Sequence, residues 1–158
     1  TSEYTLYDSF MGFIPGSIGE TSTFAILIGA AILLITGVGS LRIIASFFAG
    51  GLLMGVILNA AGGPYLDLPP LYHLVIGGFA FGAVFMATDP VSAAQTANGK
   101  IIYGLLGGMI SIVIRVLNPA YPEGVFLAIL FMNVMAPIID HYVIASNIKK
   151  RLKRVKTV

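Results

Sequence analysis

Ile43-Ile44-Ala45-Ser46-Phe47-Phe48-Ala49-Gly50-Gly51-Leu52-Leu53-Met54-Gly55-Val56-Ile57-Leu58-Asn59-Ala60-Ala61 contains no charge, and the uncharged run continues to Leu66. A helix that crosses bilayer hydrocarbon takes about 20 residues at about 1.5 Å each. Flanked by Arg42 and Asp67, this stretch reads as such a helix. It ends near Gly62, because Gly62-Gly63-Pro64 and then Pro69-Pro70 punctuate a loop. The intervals between the other charges extend the pattern. Residues 21–41, between Glu20 and Arg42, give a preceding span of 21 residues. Residues 71–87 give a third span. Residues 101–114 are a shorter run of 14, which reaches about Leu117 when the Arg115 stem extends toward the headgroups. Residues 124–139 are uncharged and apolar character resumes at residues 141–145, so a fifth span contains Asp140.

Composition requires the same class. Of 158 residues, 57% are hydrophobic and 10% charged, against roughly 25% charged in soluble domains. The mean hydropathy is +0.93. A body of this size cannot bury that much apolar surface on its own, so the expected fold class is an all-α integral membrane protein with five transmembrane helices. The absence of cysteine removes disulfides, thiolate metal sites and iron–sulfur ligation, so any redox chemistry comes from a cofactor or partner. The sequence holds no His-Glu-x-x-His, phosphate-binding loop or Gly-rich dinucleotide fingerprint. No metal cofactor is expected on this chain.

Six of the nine basic residues lie in one tail: Lys149, Lys150, Arg151, Lys153, Arg154 and Lys156. The positive-inside rule makes that tail cytoplasmic. Such a juxtamembrane cluster is a topology anchor or an anionic-lipid contact rather than a nucleic-acid site. Counting back through five spans puts the amino end outside and Arg42 and Lys100 inside; only Arg115 dissents. The expected organisation is residues 1–20 as an external, interfacial or re-entrant segment, residues 21–146 as the five-span domain, and residues 147–158 as the basic cytoplasmic tail. The first residue, Thr1, suggests a fragment or processed product. Ser17, three residues before Glu20, resembles a capping box that starts the first span; the alternative is a broken helix whose amino end points at an ion. Gly51/Gly55, Gly78/Gly82 and Gly104/Gly108 follow the G-x-x-x-G spacing that lets membrane helices approach closely.

Ionisable groups inside a membrane cost about 2.5 to 3.5 kcal/mol at its centre and therefore mark function by default. Asp140 is the first candidate, toward the cytoplasmic side of the fifth span; its structural alternative is an interfacial carboxylate paired with His141 or a neighbouring polypeptide. Asp89, before Pro90, has the ordinary form of an N-cap, yet it falls where a cation entering from the cytoplasm meets the third span. Glu123 suits the amino end of the fifth span electrostatically. Oxygen ligands of this kind suit a monovalent cation or proton, so Asp140, Asp89 and Glu123 are the candidate cation-pathway residues.

The blocks Pro15-Gly16-Ser17-Ile18-Gly19-Glu20, Phe85-Met86-Ala87-Thr88-Asp89-Pro90-Val91-Ser92-Ala93, Asn118-Pro119-Ala120-Tyr121-Pro122-Glu123-Gly124 and Ala128-Ile129-Leu130-Phe131-Met132-Asn133, followed by Ala136-Pro137 and Asp140, resemble a known family. They look like the carboxy-terminal half of the B subunits of bacterial sodium-translocating NADH:quinone oxidoreductases. The D subunits of Rnf complexes are similar in the Asp-Pro and Pro-Glu-Gly blocks. The resemblance covers essentially the whole chain. It implies a membrane piece of a six-subunit complex of the bacterial inner membrane, which passes electrons from NADH to ubiquinone and exports Na+. The implied fold is one half of an inverted repeat similar to urea transporters.

The resemblance also implies FMN, held covalently by a threonine, and riboflavin in the intact subunit. The Ser-Gly-Ala-Thr motif that carries FMN is expected upstream; Thr21, Thr23 and Thr88 do not sit in one, so no cofactor-binding residue is assigned here. Asp89 and Asp140 match acids that the family uses for sodium transport, and Glu123 matches less closely. Mechanistically, reduction of a nearby flavin is expected to raise the local affinity for a cation, a coupling that is reciprocal. No catalytic residue is expected, and the isolated chain is expected not to be catalytic. The alternatives are an Rnf-type ion-translocating subunit, a solute channel or transporter half of the same architecture, and a scaffold for flavin-bearing partners.

Overall fold

The computed structural model describes residues 4–62, 69–118 and 124–155. Among them are only helices and loops: α1 (Leu6–Met11), α2 (Thr23–Ile35), α3 (Leu41–Ala61), α4 (Pro70–Val75), α5 (Phe79–Phe81) running directly into a π-helical turn (Gly82–Met86), α6 (Ala97–Leu117) and α7 (Gly124–Val155). Three of them, α3, α6 and α7, are long and apolar enough to cross a membrane. α2 is apolar but has 13 residues, about 20 Å of helix.

The close contacts fix the direction of each segment. α3 and α6 run parallel: a methyl group on Gly104 would strike the Ser46 hydroxyl and the Ile43 carbonyl, and one on Gly108 would strike the Phe47 carbonyl. Lipid offers no hydrophobic drive between helices, so glycine-lined backbone contact supplies the packing instead. The G-x-x-x-G pair Gly104/Gly108 forms this seam, as its spacing predicts. α7 runs antiparallel to α6, with Gly124 beside Ile114 and Asp140 beside Gly99. Residues 70–86 run antiparallel to α3, because Gly55 meets Pro70 and Gly51 meets Phe79. α2 is parallel to residues 70–86: Thr23 bonds Val75 and Gly29 lies against Phe85. The described residues therefore traverse the bundle five times in alternating directions.

One core gathers Ile43, Phe47, Phe79, Ala83, Tyr103, Ile112, Val125, Ile129 and Met132. A smaller one joins Ile26 and Ala30 of α2 to Ile44, Ala80 and Val84. Phe79 is the hinge of the main core, its ring 5.3 Å from Phe47 and 5.6 Å from Phe48.

The structure departs from the sequence reading in four places. First, the third traverse is not one helix. α4 stops at Val75, Ile76 is extended, and Gly77 has φ +68°, a left-handed conformation that glycine adopts without a Cβ clash. Second, Ser17 does not cap the first long helix. Ser22 does, its hydroxyl accepting from the Ala25 amide at 3.3 Å; the capping box is Thr5 with Asp8, at the start of α1. Third, Arg115 does not extend toward headgroups but turns inward to the break in the third traverse. Fourth, the described part of the basic tail is not separate from the fifth traverse: α7 continues unbroken through Pro137 and the cluster to Val155. Its 32 residues extend about 48 Å, well beyond the roughly 30 Å of hydrocarbon.

Candidate functional site

Asp89 and Asp140 anchor opposite ends of the loop that joins the third traverse to α6, at one end of the bundle. Asp89 closes the near end of this loop. Its carboxylate accepts from the Ser92 hydroxyl at 2.6 Å, the Ser92 amide at 3.2 Å and the Val91 amide at 3.3 Å. The Asp89 carbonyl accepts from the Ala93 amide, so the acid caps a single helical turn. The Ser92 hydroxyl, then the Val91 amide, hold its carboxyl below the ordinary range; a little burial opposes them, and the Ser92 amide lowers it further.

Asp140 closes the far end from a different helix. Its carboxylate accepts from the Gln95 amide at 2.7 Å, the Thr96 amide at 3.0 Å and the Thr96 hydroxyl at 2.5 Å. Thr96 is the N-cap of α6, and its hydroxyl also accepts from the Gly99 amide at 3.1 Å. Asp140 thus fixes the cap and covers amides that the start of a helix leaves without partners. Gly99 is required there, because a methyl group would strike both Thr96 and Asp140.

Between these anchors the sequence singles out nothing, yet the structure supplies more polar groups. Tyr103 is fully buried and donates to Asn133 Oδ1 at 2.6 Å. Asn133 lies two turns before Asp140 on α7, and lines a cleft of about 410 Å³ with Thr88, Asp89, Ser92, Phe85 and Ile129 among others. The seven-residue spacing of Asn133 and Asp140, which puts both on one helix face, is the signal that could have found it. Tyr103 carried no such signal.

Glu123 lies outside the described residues. No cluster of three or more His, Cys, Asp or Glu side chains arranged to hold a metal ion occurs among the described residues.

The described threonines do not fit a covalent flavin. The hydroxyls of Thr21, Thr23, Thr36 and Thr88 each donate to a backbone carbonyl, and those of Thr5 and Thr96 donate to carboxylates. None follows the expected motif.

Similarity to known proteins agrees with this architecture. The model of the NQR2, RnfD, RnfE family matches residues 1–149. A protein of Chromohalobacter salexigens, named as the B subunit of a Na(+)-translocating NADH-quinone reductase, is 56% identical over 154 residues, covering 96% of this chain and 38% of the relative. Proteins of the same name from Pseudomonas aeruginosa and Stutzerimonas stutzeri are 53% and 50% identical, over 95% and 98% of this chain and 38% and 39% of theirs. The chain therefore spans well under half the length of these relatives. With five alternating traverses, two loop-anchoring acids and a match that runs nearly end to end, the chain belongs to the NQR2, RnfD, RnfE family.

Proposed function

We propose that this chain is a membrane portion of a sodium-translocating NADH:quinone oxidoreductase, in the position of its B subunit, and that Asp89 and Asp140 lie on its Na+ route. The reading is supported by relatives named for that activity at up to 56% identity. The observation that carries it within the chain is that both acids bond the one loop that precedes α6, Asp89 at its near end, where it lines the cleft, and Asp140 at the start of α6. All five traverses cross the bilayer, as one half of an inverted repeat. Residues 1–20 lie at the external face and the basic end of α7 faces the cytoplasm of a bacterial cell. FMN, riboflavin and the other polypeptides of a six-subunit complex, with ubiquinone as acceptor, belong to the intact assembly. Glu123 is a further route residue at the external end.

Both carboxylates hold most of their lone pairs against loop donors, so a passing cation competes with the Ser92, Gln95 and Thr96 groups for the same oxygens. Cation arrival loosens the loop, and loop closure expels the cation. Reduction elsewhere in the complex shifts that equilibrium, and Na+ shifts reduction by the same coupling energy. The test is the Na+ dependence of NADH-driven quinone reduction by the full complex carrying Asp89→Asn or Asp140→Asn. The expected result is an apparent KM for Na+ raised several-fold in each. A wild-type Na+ response in both fully assembled variants would refute the route.

A further inference from the structure

The last helix outruns its neighbour. α6 begins at Ala97 behind its cap Thr96, and Asp140 of α7 bonds that cap, so α7 continues past the end of α6 toward Val155. Where the two helices part, a cleft of about 420 Å³ opens between Asn98 and Ile102 of α6 and one face of α7. On α7 that face carries residues three or four apart, which share one side of a helix, and its polarity changes along its length. Ile139 and Val143, with Ile102 opposite, line the end toward the bundle; Ser146, Asn147 and Lys150, with Asn98 opposite, line the end toward the helix terminus. Tyr142, an aromatic of the kind enriched at membrane interfaces, lines the changeover.

The changeover falls at a particular depth. With Gly124, the first residue of α7, at one hydrocarbon boundary, about 30 Å of hydrocarbon takes roughly 20 residues and ends near Val143 or Ile144. The headgroup layer, about 5 to 7 Å thick, takes roughly the next four or five. The cleft therefore turns from apolar to polar where the bilayer does.

Its polar end is also uncommitted. The hydroxyls of Ser9, Ser46 and Ser111 donate back to the carbonyl four residues earlier. Ser146 makes no such bond, and the side chains of Asn98, Asn147 and Lys150 bond no other described residue. Residues 141–158 hold six Lys and Arg and no Asp or Glu. The acid just before them, Asp140, is held by Gln95 and Thr96. A partner helix seated in a groove needs apolar anchors over two or more turns; the apolar stretch on α7 here spans one, Ile139 to Val143.

We propose that this cleft binds one anionic phospholipid of the leaflet into which the basic end of α7 emerges. Lys150 holds the phosphate, Ser146, Asn147 and Asn98 supply neutral donors, and the start of an acyl chain lies along Val143, Ile139 and Ile102. A basic tail attracts any anionic surface; the cleft makes one position on it selective. The proposal stands on α7 crossing a bilayer and not on the Na+ route.

The experiment uses the full complex in phosphatidylcholine nanodiscs that carry a trace of photoreactive phosphatidylglycerol or, in parallel, of phosphatidylcholine with the same photoreactive chain. Crosslinked peptides are located by mass spectrometry. The expected result is capture of phosphatidylglycerol on residues 98–102 and 139–150 well above that of phosphatidylcholine, unchanged by excess inorganic phosphate. Lys150→Gln should lower that capture about fivefold, the size of one basic residue's attraction near a membrane surface. Lys149→Gln removes the same charge outside the cleft and should leave capture near the wild-type level. Equal capture of the two lipids, displacement by phosphate, or equal losses in the two variants overturns the proposal, the last by showing a diffuse attraction to the tail. Absence of lipid from both segments, with crosslinks to another polypeptide instead, overturns it as well. If Lys150→Gln does not assemble, the comparison of the two lipids on the wild-type complex decides alone.

Discussion

The two polar ends of this bundle solve opposite problems. At the start of α6, backbone amides lack partners and acids supply them, with Asp140 reaching across from α7 and Asp89 acting within its own turn. At the break, backbone carbonyls lack partners and donors supply them, with Arg115 coming from α6 and Thr23 from α2. The acid end is built around one loop, so its bonds can exchange in small steps. The break is held by side chains from two different helices, so it yields only if those helices lose their register.

The largest expected effect that tests this contrast is at Asp140. Asp140→Ala strands two amides and one hydroxyl at the head of α6. Hydrogen bonds to a charged group contribute about 1.5 to 3 kcal/mol, so amide exchange at residues 95–99 should accelerate by roughly one to two orders of magnitude in the assembled complex. Exchange at the break should stay as in the wild type. Equal acceleration at both ends would abolish the distinction between them.

Next comes Gly77→Ala at the fixed end. A side chain at φ +68° costs about 1 to 2 kcal/mol, and its methyl also presses on the Arg115 guanidinium. The expected outcome is a lower temperature for thermal inactivation of quinone reduction, with wild-type exchange retained at residues 95–99. A variant as heat-stable as the wild type would show that the left-handed turn is not a constraint.

How much of this was legible in the sequence depends on the physics of each part. The long helices α3, α6 and α7 follow from uncharged intervals, because hydrocarbon excludes charge over a length that the chain records directly. The Gly104/Gly108 seam follows from spacing for the same reason. The break at Ile76 and Gly77 did not follow. An apolar run with two glycines is compatible with a continuous helix, and only the fit of Phe79 between Phe47 and Phe48 and the inward turn of Arg115 decide against it. Asp89 and Asp140 were visible as charges in apolar surroundings, but their shared loop was not, since the Asp140 to Gln95 bond spans 45 residues. Asn133 was legible only through its seven-residue spacing from Asp140, and Tyr103 was hidden because a neutral polar residue in a membrane helix raises no alarm until its partner is known.

A smaller effect separates the two donors at the break. Thr23→Val removes one neutral hydrogen bond to Val75 while preserving shape. It should cost about 1 kcal/mol, seen as a modest drop in thermal stability, and leave the Na+ KM unchanged. A drop as large as that of Gly77→Ala would show that this bond, and not the left-handed turn, holds the break.

The smallest effect lies in the turn at Asp89. The native carboxyl is held below its ordinary value of 3.8, first of all by the Ser92 hydroxyl. A depressed folded value means the turn gains stability that is complete above the unfolded value and lost as pH falls through the folded one. Protection of the Val91 and Ser92 amides is therefore expected to be flat from neutral pH down to about 4 and to decline only below that. Ser92→Ala removes the main cause of the depression, so the decline should be smaller and complete at a higher pH, which amide exchange followed as a function of pH reads directly. At the break the corresponding bond joins a guanidinium to a carbonyl, neither of which titrates in this window. Acid should therefore release the yielding end first, and a profile in which both ends lose protection together would show that they are one cooperative unit.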